Sequence, residues 1–110
     1  MRLRKRRQFL SLYSEADRVH TPFFVLFLRA NNLPHSRLGV TVSRKIGKPI
    51  IRNLVKRRLR EIFRQEQANI DPPCDVVVNV KRPASRAAYQ ELRKSFEGAV
   101  KRWRLGAKER

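Results

Sequence analysis

The sequence predicts a single domain that mixes helices with strands, in the order helix, strands, helix, strand, helix. The chain has 110 residues, a length that fits one core and leaves no room for a second. At this size roughly two-thirds of the unfolded surface is buried on folding. An apolar fraction of 41% belongs to a folding chain and not to a disordered polycation. Along the chain the apolar period switches between that of a helix and that of a strand.

Residues 4–14 form a short predicted helix, in which Phe9, Leu12, Tyr13 and Ala16 follow the i, i+3, i+4, i+7 spacing of one apolar stripe. On this pattern alone Phe9 and Tyr13 are core residues. Pro22 to Arg29 reads as a strand rich in aromatic and β-branched residues. Phe24, Leu26 and Leu28 mark one apolar face and Phe23, Val25 and Phe27 the other. Such a strand is either covered on both sides or leaves an aromatic face open to a ligand. Asn31-Asn32-Leu33-Pro34 is a turn, and Arg37 to Ser43 alternates as a second strand, with Leu38, Val40 and Val42 on one face. Pro49 suits the first turn of a long helix running to about Ala68, and Pro72-Pro73 ends it. Asp75 to Val80 is a third, valine-rich strand. Ser85 is the expected N-cap of a last helix whose core stripe is Tyr89, Leu92, Phe96, Ala99, Val100 and Trp103.

Charge is the outlier. Twenty-seven Lys and Arg against nine Asp and Glu leave +18. Such a density destabilises the compact state through self-repulsion unless a polyanion neutralises it, so nucleic acid is the leading partner. A membrane surface is a poorer fit, because no segment joins a wide apolar face to sufficient length, and Phe23 to Leu28 is far too short to span a bilayer. The basic Met1–Arg7 arm is followed by no apolar stretch of the signal-peptide kind and is expected to be flexible without its nucleic-acid partner. The single cysteine, Cys74, suits a reducing, cytoplasmic setting and reads as a small hydrophobe at a strand end.

The cations concentrate on the long helix. A helical wheel of residues 50–66 gathers Ile51, Val55, Leu59, Ile62 and Phe63 on one side and Arg52, Asn53, Lys56, Arg57, Arg60 and Arg64 on the other. Only Glu61 relieves the repulsion at i, i+4. A merely solvated face would interleave more acids, and the planar fork of arginine suits phosphate. A basic helix can also sit in a DNA major groove, but spare aromatics on strands favour the unstacked bases of single-stranded RNA.

The acids give no catalytic or metal-binding constellation. Glu61 and Glu66 share a helix face poorly, Asp71 and Asp75 flank a proline turn, and His20 and His35 have no partner at ligand or triad spacing. A metal-dependent nuclease needs clustered carboxylates, so no catalytic residue and no metal ligand is assigned to the polypeptide.

With these residues in view, the chain resembles the protein components of bacterial ribonuclease P from about Leu3 to Arg102. The block Arg37-Leu38-Gly39-Val40-Thr41-Val42-Ser43-Arg44-Lys45-Ile46-Gly47 is similar to that family's signature. Arg52-Asn53-x-x-Lys56-Arg57-x-x-Arg60-Glu61-x-Phe63-Arg64 resembles its arginine-rich helix, and Lys81-Arg82-Pro83-Ala84 the stretch leaving its last strand. The resemblance implies an α+β fold, α-β-β-β-α-β-α, with a central four-stranded sheet like a ribosomal-protein domain and a left-handed βαβ crossover against the common hand. Three strands are legible in the residues; the fourth rests on the resemblance. It implies a subunit that assists a catalytic RNA in removing the 5′ leader of precursor tRNA, with Mg²⁺ held mainly by the RNA and no obligate protein partner. Arg44, Lys45, Arg52, Asn53, Lys56, Arg57, Arg60 and Arg64 would meet the catalytic RNA. Phe9, Tyr13, Val25 and Phe27, with Lys81 and Arg82, would hold the leader, which moves Phe9 and Tyr13 out of the core. Leu54 stands where the family usually has a cation, and Arg58 where it usually has an apolar residue. Either Arg58 carries that cation one turn along as a further RNA contact, its stem lying on apolar surface, or it is simply solvated. Two other uses of such a chain are a ribosomal or RNA-chaperone protein and a DNA-binding regulator.

Overall fold

A computed structural model describes residues 12–13 and 15–109. The chain runs through β1 (Asp17–His20), β2 (Phe24–Ala30), β3 (Arg37–Thr41), a 3₁₀ turn (Arg44–Ile46) and α1 (Pro49–Glu66). A second 3₁₀ turn (Gln67–Asn69), β4 (Cys74–Val80), a third 3₁₀ turn (Arg82–Arg86) and α2 (Tyr89–Glu109) complete it. The four strands form one sheet in the order β1-β2-β4-β3. β2 pairs antiparallel with β1 and β4, and β3 pairs parallel with β4, Leu38 opposite Val76. The α1 helix therefore links two neighbouring parallel strands, as a crossover must. Leu12, Tyr13 and Glu15 are helical; the rest of the expected first helix, with Phe9 and the Met1–Arg7 arm, lies outside the described residues.

One face of the sheet carries the main core. Phe24, Leu26, Leu28, Leu38, Val76 and Val78 meet Val55, Leu59, Ile62 and Phe63 of α1 and Leu92, Phe96, Ala99, Val100 and Trp103 of α2. The expected stripes on both helices are thus the buried ones, with Tyr89 at the margin. The other face carries a smaller cluster of Leu12, Phe27 and Val77, edged by Tyr13, Ala16 and Val25. β2 is accordingly covered on both sides. Phe23 does not share the face of Val25 and Phe27, as the alternation suggested, but packs against the main core. It precedes the strand, in a turn where the Thr21 hydroxyl accepts the Phe23 and Phe24 N–H groups at 3.2 and 3.0 Å. Period-two alternation does not apply there.

β1 is the strand that residue patterns did not mark. It is short and charged, and it sits at the sheet edge. The Trp103 indole N–H donates to Asp17 at 3.0 Å and Arg102 donates to the His20 carbonyl at 3.1 Å, so the end of α2 holds it. A second correction concerns Ser85, which does not cap α2. Its hydroxyl donates to the Arg82 carbonyl at 2.9 Å inside the third 3₁₀ turn. Ala87 is extended (ψ 145°), which separates that turn from the helix. The Glu91 carboxylate accepts the Ala88 N–H at 2.9 Å instead, the acidic half of a capping box, with favourable charge at the helix N-terminus.

Cys74 is fully buried, and burial pushes its thiol up to about 12, which leaves a small hydrophobe without thiolate chemistry. Where β3 and β4 begin, Arg37 donates Nε and Nη2 to the two oxygens of Asp75, both at 2.7 Å, and Asn31 adds a bond at 3.1 Å. Burial alone would raise the Asp75 carboxyl, but the Arg37 and Asn31 hydrogen bonds outweigh it and hold the group below its usual 3.8. An unfolded chain therefore takes up this proton at a higher pH than the folded one. The stabilisation is complete above the usual value and fades as pH falls from there through the lower folded value. Asp75→Asn should weaken the fold at neutral pH yet lose less further stability than the parent on acidification to about pH 3, read by urea titration at both pH values.

Candidate nucleic-acid interface

Because β3 and β4 are parallel, both leave the sheet at the same end, and the β1–β2 turn lies there too, with Phe24 opposite Val80. The turns at Arg44–Ile46 and Arg82–Arg86 pack against each other and against α1. This end collects Arg44, Lys45, Lys48, Arg82 and Arg86, all exposed, and the half-buried Arg52 and Lys81. No acid occurs anywhere from residue 18 to residue 60. The acids Glu66, Asp71 and Asp75 belong to the opposite end, where α1 stops and β4 starts. Glu66, Asp71 and Asp75 thus lie away from the basic end, Asp75 paired there with Arg37, while Glu91 caps the start of α2 beside the Arg82–Arg86 turn.

Two residues shape the entry to α1. Gly47 has φ 154° and ψ −169°, a conformation open essentially to glycine alone, and a Cβ there would lie 3.4 Å from Ile51. Pro49 takes the first helical position, and neither a capping side chain nor an acid occupies the first turn. The partial positive charge of the helix N-terminus therefore adds to Lys48 and its neighbours.

Along α1, Asn53, Arg57, Arg60 and Arg64 are exposed while Arg52 and Lys56 are half-buried. The cations differ in how freely they can meet an anion. Arg64 forms an ion pair with Glu61, which also accepts from Gln65 at 3.0 Å. That hydrogen-bonded pair lowers the Glu61 carboxyl and raises the Arg64 guanidinium, so a phosphate would have to compete for Arg64. Arg58 is neither solvated nor outward-reaching as sequence offered. It is half-buried and donates to the Ala87 carbonyl at 3.1 Å, tying α1 to the segment between the third 3₁₀ turn and α2.

On the far face of the sheet, the expected cleft residues Tyr13, Val25 and Phe27 do come together. The Tyr13 ring stands edge-on to Phe27, centroids 4.9 Å apart, and its hydroxyl donates to Asn79 at 2.9 Å. Phe27 is only 7% exposed, so Tyr13 and Val25 form the accessible rim. Arg18, absent from the sequence reading, places its guanidinium 5.5 Å from the Phe27 centroid. Its side chain could be aimed only once β1 was known to be a strand. Lys81 donates to the Thr21 carbonyl at 2.7 Å, and Arg82 sits in the turn beside Arg44–Ile46. Both therefore lie at the basic end and not within the apolar cluster. The two surfaces adjoin at Asn79, which faces Val25 across one strand pair and Thr41 across the other. Lys48, Arg86 and the outward Ile50, 75% exposed, were also unmarked by any sequence motif. Among the described residues no group of three or more His, Cys, Asp or Glu side chains is placed to hold a metal ion, and no helix is long and apolar enough to cross a membrane.

This arrangement has close counterparts. The family described as Ribonuclease P matches residues 1–104. The ribonuclease P protein component of Thermotoga maritima is 38% identical over 105 residues, covering 92% of this chain and 90% of that protein. The solved structure of the Thermotoga maritima RNase P protein superposes with a TM-score of 0.83 at 37% identity, over 93% of this chain and 96% of that one. The Staphylococcus aureus RNase P protein gives a TM-score of 0.83 at 31% identity, over 91% and 92% of the two chains. With a match along nearly its whole length in sequence and in fold, the chain belongs to the ribonuclease P protein family.

Proposed function

We propose that this protein is the subunit that docks onto the catalytic RNA of ribonuclease P and holds the 5′ leader of precursor tRNA while the RNA cuts it. The observation that carries the reading is the distribution of charge: the acid-free run from residue 18 to residue 60 places Arg44, Lys45 and Lys48 at one end of the sheet and Arg52, Lys56, Arg57 and Arg60 along α1, while its Arg37, at the other end, is paired with Asp75. Arg44, Lys45, Lys48, Asn53, Arg57 and Arg60 form the docking face, joined by Arg82 and Arg86 from the neighbouring turn. Arg52 and Lys56 border it, Arg64 contributes after exchange with Glu61, and Arg58 acts chiefly by fixing the segment that carries Arg86. The leader lies along the Tyr13, Val25 and Phe27 surface, with Arg18 and Lys81 at its margins. Mg²⁺ belongs mainly to the RNA, whose phosphates hold it. The polypeptide lowers the Mg²⁺ requirement by supplying positive potential. It works in the cytoplasm, with the RNA and precursor tRNA as its partners and no obligate protein partner.

Reconstitution tests the whole reading. Adding the protein to bacterial ribonuclease P RNA and precursor tRNA at low Mg²⁺ should raise 5′ cleavage above that of RNA alone, and no gain would contradict it. Arg57→Ala should weaken binding of the catalytic RNA and flatten the log-log salt dependence by roughly 0.7–0.9, one released counterion. Arg58→Ala, in contrast, should lower unfolding stability by about 1–2 kcal/mol, the scale of one charge-assisted hydrogen bond, and leave the salt slope unchanged. Tyr13→Ala should weaken precursor tRNA binding and spare mature tRNA; an equal loss for both substrates would remove the leader assignment.

A further inference from the structure

Ile50 is the second residue of α1 and is 75% exposed. Single exposed apolar residues are common and need no explanation. Ile50 differs in its position. At 100° per residue it points within about 20° of the direction opposite the buried stripe, beside Arg57 and between Asn53 and Leu54 on adjacent turns. The half-buried Leu54 is its i+4 neighbour and extends the apolar surface along the helix. Exposed Lys48 is the N-cap residue two positions before it, and exposed Arg44 lies in the 3₁₀ turn that packs against α1. An exposed apolar side chain therefore stands within a cationic surface.

Phosphate oxygens gain nothing from an isoleucine. Pressing its side chain against a regular duplex backbone would strip water from phosphates without replacing their hydrogen bonds. An unstacked base offers a flat apolar face of matching size, with its own phosphates one bond length from the sugar and within reach of the cations around Ile50. A second copy of this chain is disfavoured by the like charge that would be brought together.

We propose that Ile50, supported by Leu54, is a contact for an unpaired nucleobase of the RNA bound at the basic end, so that docking there selects a looped or bulged segment over a continuous duplex. This rests on the ribonuclease P reading and adds to it the kind of nucleotide that the docking face takes.

The test compares the parent chain, Ile50→Ser, Ile50→Leu and Arg57→Ala for binding to bacterial ribonuclease P RNA and to a fully paired RNA duplex across a salt series. Ile50→Ser should weaken binding to the catalytic RNA roughly five- to tenfold, the scale of losing one apolar contact, with the salt slope unchanged. Ile50→Leu should stay within about twofold, since apolar area is kept. Duplex binding should be the same for Ile50→Ser and the parent, and the thermal midpoint should not move because the side chain is outside the core. Parent-like binding of the catalytic RNA by Ile50→Ser, or an equal loss on the duplex, would overturn the contact. A parent dimer lost on Ile50→Ser would assign the residue to a second copy and overturn it likewise. Absence of any binding by the parent would overturn the ribonuclease P reading itself, a result distinct from a silent Ile50.

Discussion

Everything the basic face can do depends on the seam where α1 lies against the sheet. Val55, Leu59, Ile62 and Phe63 are 0–5% exposed against β2, β3 and β4. Burial of each contributes about 1.5–3 kcal/mol. A like-charge pair at i, i+4 costs only about 0.2–0.5 kcal/mol. The seam therefore outweighs the repulsion among Arg52, Lys56, Arg60 and Arg64 several times over, and the helix can carry a nearly acid-free outer face without a partner. The same seam fixes the rotation of the helix, which decides that Asn53, Arg57 and Ile50 point outward and that Arg52 and Lys56 lie at the flanks.

The parallel pairing of β3 with β4 is the second constraint. It sends the Arg44–Ile46 turn and the Arg82–Arg86 turn out of the same end of the sheet, beside the N-terminus of α1. Cations separated by almost forty positions in the chain thereby share one surface. The 18 residues of α1 separate the two ends by about 27 Å at 1.5 Å per residue, roughly three times the screening length of about 8 Å at physiological salt. The carboxylates at the far end, Asp71 and Asp75 among them, therefore do little to dull the field at the basic end. Local pairs do more: Glu61 holds Arg64, and the Ala87 carbonyl holds Arg58. Counting arginines on a helical wheel overstates the number available to an RNA.

How much of this was legible in the sequence depended on whether the signal was local. The stripes of α1 and α2, the strands around Leu26, Val40 and Val77, and the proline stops are periodic or punctual features, and they stand where the residues placed them. The two apolar faces of β2 left cover on both sides and an open aromatic face as alternatives, and the Leu12, Phe27 and Val77 cluster shows cover, with Tyr13 and Val25 at its edge. β1 left no trace because four mostly polar residues hold as a strand only through pairing with β2 and through Trp103 and Arg102, more than eighty positions away. Ser85 looked like a cap but is spent inside a 3₁₀ turn, while the cap comes from Glu91. Arg58 could not be resolved on a wheel, because its partner is a backbone carbonyl on another segment. Arg18 was invisible as a cleft residue for the same reason as β1.

The central claim is that the end of the sheet bearing α1's N-terminus, and not the acidic end, faces the catalytic RNA. Hydroxyl-radical cleavage from an iron chelate tethered to single cysteines tests it directly, since the buried native thiol of Cys74, pushed up to about 12, reacts poorly with the tether. A chelate at Asn53→Cys should cut a localised set of catalytic-RNA nucleotides, and one at Asp71→Cys should give near-background cleavage. Equal cutting from both positions, or stronger cutting from 71, would contradict the account.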